Sequence, residues 1–86
     1  MGKTPEQLAL QRAVEAAGSQ TELAARLAKA TGKPVRQGHV WKWLQSANGV
    51  SAEMAIQVEQ AVEGLVTRYE LRPAVFGDAP EKARAA

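Results

Sequence analysis

The sequence predicts an all-α domain of four to five short helices, and three observations predict it. Apolar residues recur at spacings of three and four in successive segments of the 86-residue chain, the period of an amphipathic helix. Thr4, Ser19 and Ser51, residue types that cap helix N-termini, stand just ahead of three of those segments. Turns rich in glycine, proline and asparagine separate them at Gly18, at Gly32 to Pro34 and at Asn48-Gly49. At 45% apolar residues the chain can fill one small core and not two.

Each element follows in order. Thr4-Pro5-Glu6 reads as an N-cap, a proline at the first helical position and an acid in the first turn; Leu10, Ala13, Val14 and Ala17 then form the apolar stripe of helix 1, which stops at Gly18. Ser19-Gln20-Thr21-Glu22 has the capping-box pattern, so helix 2 starts after a one-residue break. It carries Leu23, Leu27 and several alanines and fades at Ala30 or Thr31 before Gly32. Lys33-Pro34-Val35 must turn, because Pro34 lacks an N–H and biases Lys33 away from the helical region.

Helix 3 is expected from about Arg36 to Gln45, ending in Ser46-Ala47-Asn48-Gly49. Within HVWKWLQ, Val40, Trp43 and Leu44 fall at i, i+3 and i+4, while Trp41, Lys42 and Gln45 fall outside that stripe. Trp43 is therefore expected in the core and Trp41 in solvent. Gly38 costs this helix about 1 kcal/mol relative to alanine. Helix 4 begins after Ser51 with the face Ala55, Val58, Val62 and Leu65, and loosens at Gly64. Val66 to Leu71 reads equally as a short C-terminal strand or as a further helical turn, and Arg72-Pro73 stops either. Val75 and Phe76 have no periodic segment around them. The domain is placed at residues 1–77, with 78–86 as a frayed, disordered tail.

The net charge of +2 hides an uneven distribution. Between Gly18 and Val50 stand Arg26, Lys29, Lys33, Arg36 and Lys42 against Glu22; from Ser51 to Glu81 the acids Glu53, Glu59, Glu63, Glu70, Asp78 and Glu81 outnumber Arg68 and Arg72. A basic middle on an otherwise acidic remainder suits a surface that meets a polyanion, against the plainer reading of solvated helix faces. With no cysteine, neither a disulfide nor a thiolate zinc site is available. No apolar run approaches a membrane span and MGKTPEQLAL has no signal-peptide h-region, so a cytoplasmic protein with no membrane contact is expected.

Helices 2 and 3, with Ala24 and Ala25 at the close approach and Val40 and Trp43 locking the second helix, read as a helix-turn-helix. The outward face of helix 3 offers Arg36, Gln37, His39, Trp41 and Lys42 and no acid. Gln37 matches adenine, Arg36 and Lys42 match guanine or phosphate, and Trp41 matches a thymine methyl or a sugar. Gly38 would let the helix start lie close to a DNA strand. Plainer roles stand beside these: Trp41 packing on the turn or in a subunit interface, His39 in solvent rather than on a metal, Ser19 as a cap alone, and Arg68 and Arg72 paired with Glu59 or Glu70.

From about Ala13 to Gly77 the chain resembles the YdaS-like antitoxins among the lambda-repressor-like Cro regulators, which are phage-derived helical DNA-binding proteins. The matching pieces are SQTELAARLA, VRQGHVWKWLQ, VSAEMAIQVEQAV and the ending VTRYELRPAVF. The resemblance implies that Gln37, Gly38, Trp41 and Lys42 face bases and that Ser19 and Gln20 sit near a phosphate; Lys33 and Asn48, in the turns flanking helix 3, are added as phosphate contacts. KATGKP departs from the pattern by lengthening the connection between helices 2 and 3.

The expected function is therefore that of a double-stranded DNA-binding regulator, with neutralisation of a cognate toxin protein by direct contact as the alternative. No nucleophile–base pair, metal cluster or phosphate loop appears in the sequence, so neither an enzyme nor a cofactor is expected. A homodimer is expected, at least on DNA, since paired recognition helices lie about 34 Å apart. Tyr69, Leu71, Val75 and Phe76 are the proposed contact. The competing role for Leu71 and Phe76 is closure of the core.

Overall fold

A computed structural model describes residues 2–77, and the tail assigned to 78–86 lies outside the described residues. The chain forms α1 (Pro5–Ala17), α2 (Gln20–Thr31), α3 (Gln37–Gln45), α4 (Ala52–Ala61), α5 (Arg68–Leu71) and α6 (Pro73–Phe76). Among the described residues there is no strand, so the either-or segment after Val66 resolves as a helical turn. The reason is local: Thr67 accepts from the Glu70 amide and the Glu70 carboxylate accepts from the Thr67 amide at 3.0 Å, a capping box that starts α5. No helix of the described residues is long and apolar enough to cross a membrane.

One core joins the helices. Leu10, Leu23, Leu27, Val40, Val50, Val58, Val62, Val66 and Leu71 are its largest fully buried side chains. Alanines at positions 9, 13, 24 and 55 are also buried, and small side chains at these places let neighbouring backbones approach closely. Ala25 points to solvent and takes no part in that approach. Leu65 leaves the expected face of helix 4 and is 73% exposed. Positive φ at Glu63 and Gly64 (54° and 79°) turns the chain after Val62, so Val66 enters the core in its place.

Caps divide the labour between ends. Ser19 Oγ accepts from the Glu22 amide at 3.0 Å, but the Glu22 carboxylate lies 3.6 Å from Arg26 instead of closing the box on Ser19. Ser51 caps α4 through the Met54 amide at 3.2 Å. Thr4 and Gln7 form a full capping box on α1, with the Thr4 amide donating to Gln7 Oε1 at 2.8 Å. Both residues also reach across the fold. Thr4 Oγ1 donates to the Ala47 carbonyl at 2.6 Å and Gln7 Nε2 to the Leu44 carbonyl at 3.2 Å, so the start of α1 clasps the end of α3. Gly49, at φ 68°, lets the turn after α3 pass the Glu6 backbone, where an added Cβ would lie 3.6 Å from the Glu6 carbonyl oxygen.

The C-terminal elements seal the lower side. Leu71 is only 1% exposed, which removes it from the proposed dimer contact and gives it to the core. Phe76 is half-buried against that core and meets Tyr69 edge-to-face at 6.2 Å between ring centres. Arg68 lies 5.9 Å over the Phe76 ring and donates to Glu59 Oε1 at 3.0 Å, a carboxylate that also accepts from the Arg68 amide. That bonding pushes the Arg68 guanidinium above its ordinary pKa. Arg72 Nη1 donates to the carbonyls of Val50 and Asn48 at 3.1 and 3.4 Å, tying α5 to the turn that follows α3.

Candidate nucleic-acid interface

The site begins with the phase of α3. Val40 is fully buried, Trp43 and Leu44 pack half-buried against the core, and Arg36, Gln37, Gly38, His39, Trp41 and Lys42 are all exposed. Trp41, 51% exposed, is among the large apolar side chains left in solvent. The two tryptophans thus separate as a helical period of about 3.6 residues requires. The helix starts one residue later than expected, at Gln37, and Arg36 becomes its N-cap in extended backbone.

The connection to α2 is shorter than KATGKP suggests. Lys29, Ala30 and Thr31 complete α2, whose end is closed by the Gly32 amide donating to the Ala28 carbonyl at 2.9 Å. Only residues 32–36 remain as the link, and Thr31 Oγ1 stiffens it by donating to the Leu27 carbonyl and accepting from the Lys33 amide. This brings the starts of α2 and α3 together. Gln37 Nε2 donates to Gln20 Oε1 at 2.6 Å, a side-chain bridge between the first residues of the two helices. Ser19 is exposed beside it.

Three cations lie on α3 or in the link before it. Lys33, Arg36 and Lys42 are exposed and enter no ion pair among the described residues, whereas Arg26 is drawn away to Glu22 and to the Ala61 carbonyl. An exposed ammonium or guanidinium without a carboxylate partner keeps its attraction for an outside anion. Asn48 is exposed in the turn after α3, its carbonyl engaged by Arg72 and its side chain free of any partner among the described residues. Arg36 cannot cap α3 through its own side chain, which has no acceptor; instead its amide donates to His39 Nδ1 at 2.9 Å.

Of the residues expected at DNA, Ser19, Lys33, Arg36, Gln37, Gly38, His39, Trp41, Lys42 and Asn48 are exposed and Gln20 is half-buried; they lie at the start of α2, on α3 or in the turns on either side of α3. Tyr69, Val75 and Phe76 do not join them and belong to the α5–α6 end. Sequence reasoning read Thr4 as the cap of helix 1 but missed Gln7 and the bonds by which both residues reach the end of α3; the pattern Thr-x-x-Gln at positions 4–7 signals the capping box and not those long-range bonds. Among the described residues no three His, Cys, Asp or Glu side chains gather as a metal site.

Comparison with curated proteins and with solved structures yields no match. A family described as bacterial toxin YdaS matches residues 10–80, most of the 86-residue chain. Its description names a toxin where the resemblance had implied an antitoxin. By the extent of that match, running from the middle of α1 past the end of α6, the chain belongs to the YdaS family.

Proposed function

We propose that this chain is a sequence-specific DNA-binding transcriptional regulator of the Cro type that places α3 in the major groove. The observation that carries the reading is the Gln20–Gln37 bridge. With one Nε2 proton given to Gln20, Gln37 keeps an acceptor and a second donor on one exposed edge, the complement of adenine N6 and N7. Gln20 keeps its own amide protons for a phosphate at the start of α2, where the helix dipole favours an anion. Because the bridge orders Gln37 before any partner arrives, less side-chain entropy is lost on binding. Lys33, Arg36 and Lys42 add charge attraction, and Trp41 offers an apolar face to a thymine methyl or a sugar.

Pairing of two copies on a pseudo-palindromic site belongs to the same reading, through the exposed Val75 and the half-buried Tyr69 and Phe76. A regulator that silences genes its host needs would be harmful when overproduced, which accommodates the family's description as a toxin. The test is a gel-shift titration with duplex from upstream of the protein's own gene, repeated over a salt series. Binding should weaken with a log–log slope of about −0.9 per phosphate contacted. Absence of a shift with any duplex, together with salt-insensitive capture of a protein partner, would replace this reading with action by direct protein contact.

A further inference from the structure

We propose that His39 reads DNA in a single tautomer, as a hydrogen-bond donor only, because its other nitrogen is committed to capping the recognition helix. The inference rests on the DNA-binding reading and deepens it. α3 opens on Arg36, which has no side-chain acceptor to satisfy the first amides of the helix. His39, at the third helical position, reaches back and accepts the Arg36 amide proton on Nδ1 at 2.9 Å. A backbone amide can only donate, so Nδ1 holds a lone pair and the proton of the neutral ring sits on Nε2. Nε2 has no partner among the described residues, and His39 is exposed on the same first turn of α3 as Gln37.

The chemistry of that Nε2–H follows. Gln37 offers both a donor and an acceptor; His39, two residues on and so about 200° around the helix, offers one donor on the other flank of the exposed face. An Nε2–H complements an acceptor such as a purine N7 in the major groove or a phosphate oxygen beside it, and it opposes the amino groups of cytosine N4 and adenine N6. Where the acceptor is a base edge, His39 is a specificity-determining residue that excludes as well as selects; where it is a phosphate, the same donor fixes the register of α3.

The experiment has two arms. In the free protein, long-range 15N–1H correlation spectra of the imidazole identify which ring nitrogen carries the proton: Nε2–H is expected, and a dominant Nδ1–H overturns the proposal. In the second arm, a duplex enriched by the wild-type protein from a randomised pool is altered one position at a time, with 7-deazapurines removing N7 and methylphosphonates removing phosphate charge. At one position the alteration should cost wild type roughly tenfold in affinity and cost His39→Ala nothing, since the contact is already gone. A purine position identifies the base edge as the acceptor, and a phosphate position the backbone. Because His39→Ala also deletes the cap, His39→Gln, which keeps an acceptor and a donor, is the control and should retain the coupling. Coupling at no position overturns the donor assignment alone, whereas failure to enrich any duplex overturns the DNA-binding reading and the assignment with it.

Discussion

Replacing Gly38 with alanine separates the two reasons a glycine can stand in the first turn of a helix. One is internal: a neighbour too close for a side chain, or a backbone angle only glycine tolerates. Neither applies here, since Gly38 has no positive φ and a Cβ built on it meets nothing within 4 Å. The other is external, a partner that approaches the bare backbone. With no clash to offset it, Gly38→Ala should gain about 0.5–1 kcal/mol of stability, toward the lower end because the residue is second in α3 rather than in its interior. For a domain of this size that is a rise in Tm of roughly 2–6 °C, read by circular dichroism. The same methyl, on the exposed side of α3, should lower affinity for an enriched duplex about tenfold, near 1.4 kcal/mol at 25 °C. A higher Tm with unchanged affinity would refute the close approach of DNA to this turn, and a lower Tm would refute the open surroundings assigned to Gly38.

Trp43→Ala should lose about 2–4 kcal/mol in urea denaturation, less than for a fully enclosed tryptophan, while Trp41→Ala should stay within about 0.5 kcal/mol of wild type and bind duplex more weakly; equal losses would refute the helical phase of α3. Leu71→Ala should cost about 2–5 kcal/mol, and truncation before Val66 should leave a chain without cooperative melting, because both Val66 and Leu71 complete the core; a truncated chain that melts cooperatively would contradict that closure. Thr4→Ala should cost about 1–2 kcal/mol in urea denaturation, the loss of a cap plus the bond to the Ala47 carbonyl, and a change within error would mean that the clasp contributes nothing.

Much of the fold was legible because local signals and packing agree. Thr4, Ser19 and Ser51 cap the helices they precede, and Val40 with Trp43 and Leu44 sets the face of α3 before any tertiary contact is known. Legibility failed where one residue's backbone angle decides. Glu63, a non-glycine at positive φ, carries no recognisable turn signature, and it throws Leu65 outward and Val66 inward. Short helices such as α5 and α6 have too few residues to show a period, so Leu71 could be read as surface or core until its neighbours were in place. At the site, residue types on the outward face of α3 were readable from spacing. The Gln20–Gln37 bridge was not, because it joins positions 17 residues apart and depends on how α2 and α3 meet.

The clasp between α1 and α3 has a consequence in the time domain. Thr4 bonds to the Ala47 carbonyl just past α3 and Gln7 to the Leu44 carbonyl in its last turn, 43 and 37 residues further along the chain, so opening the first turn of α1 is expected to release the far end of α3 as well. Such a pair behaves as one cooperative unit in native-state hydrogen exchange. The amides of Leu8 and Ser46, bonded to the Thr4 carbonyl and to the carbonyls of Lys42 and Trp43, should exchange with a common opening free energy and respond together to denaturant. The first turn of α1 thereby lends its stability to the far end of α3.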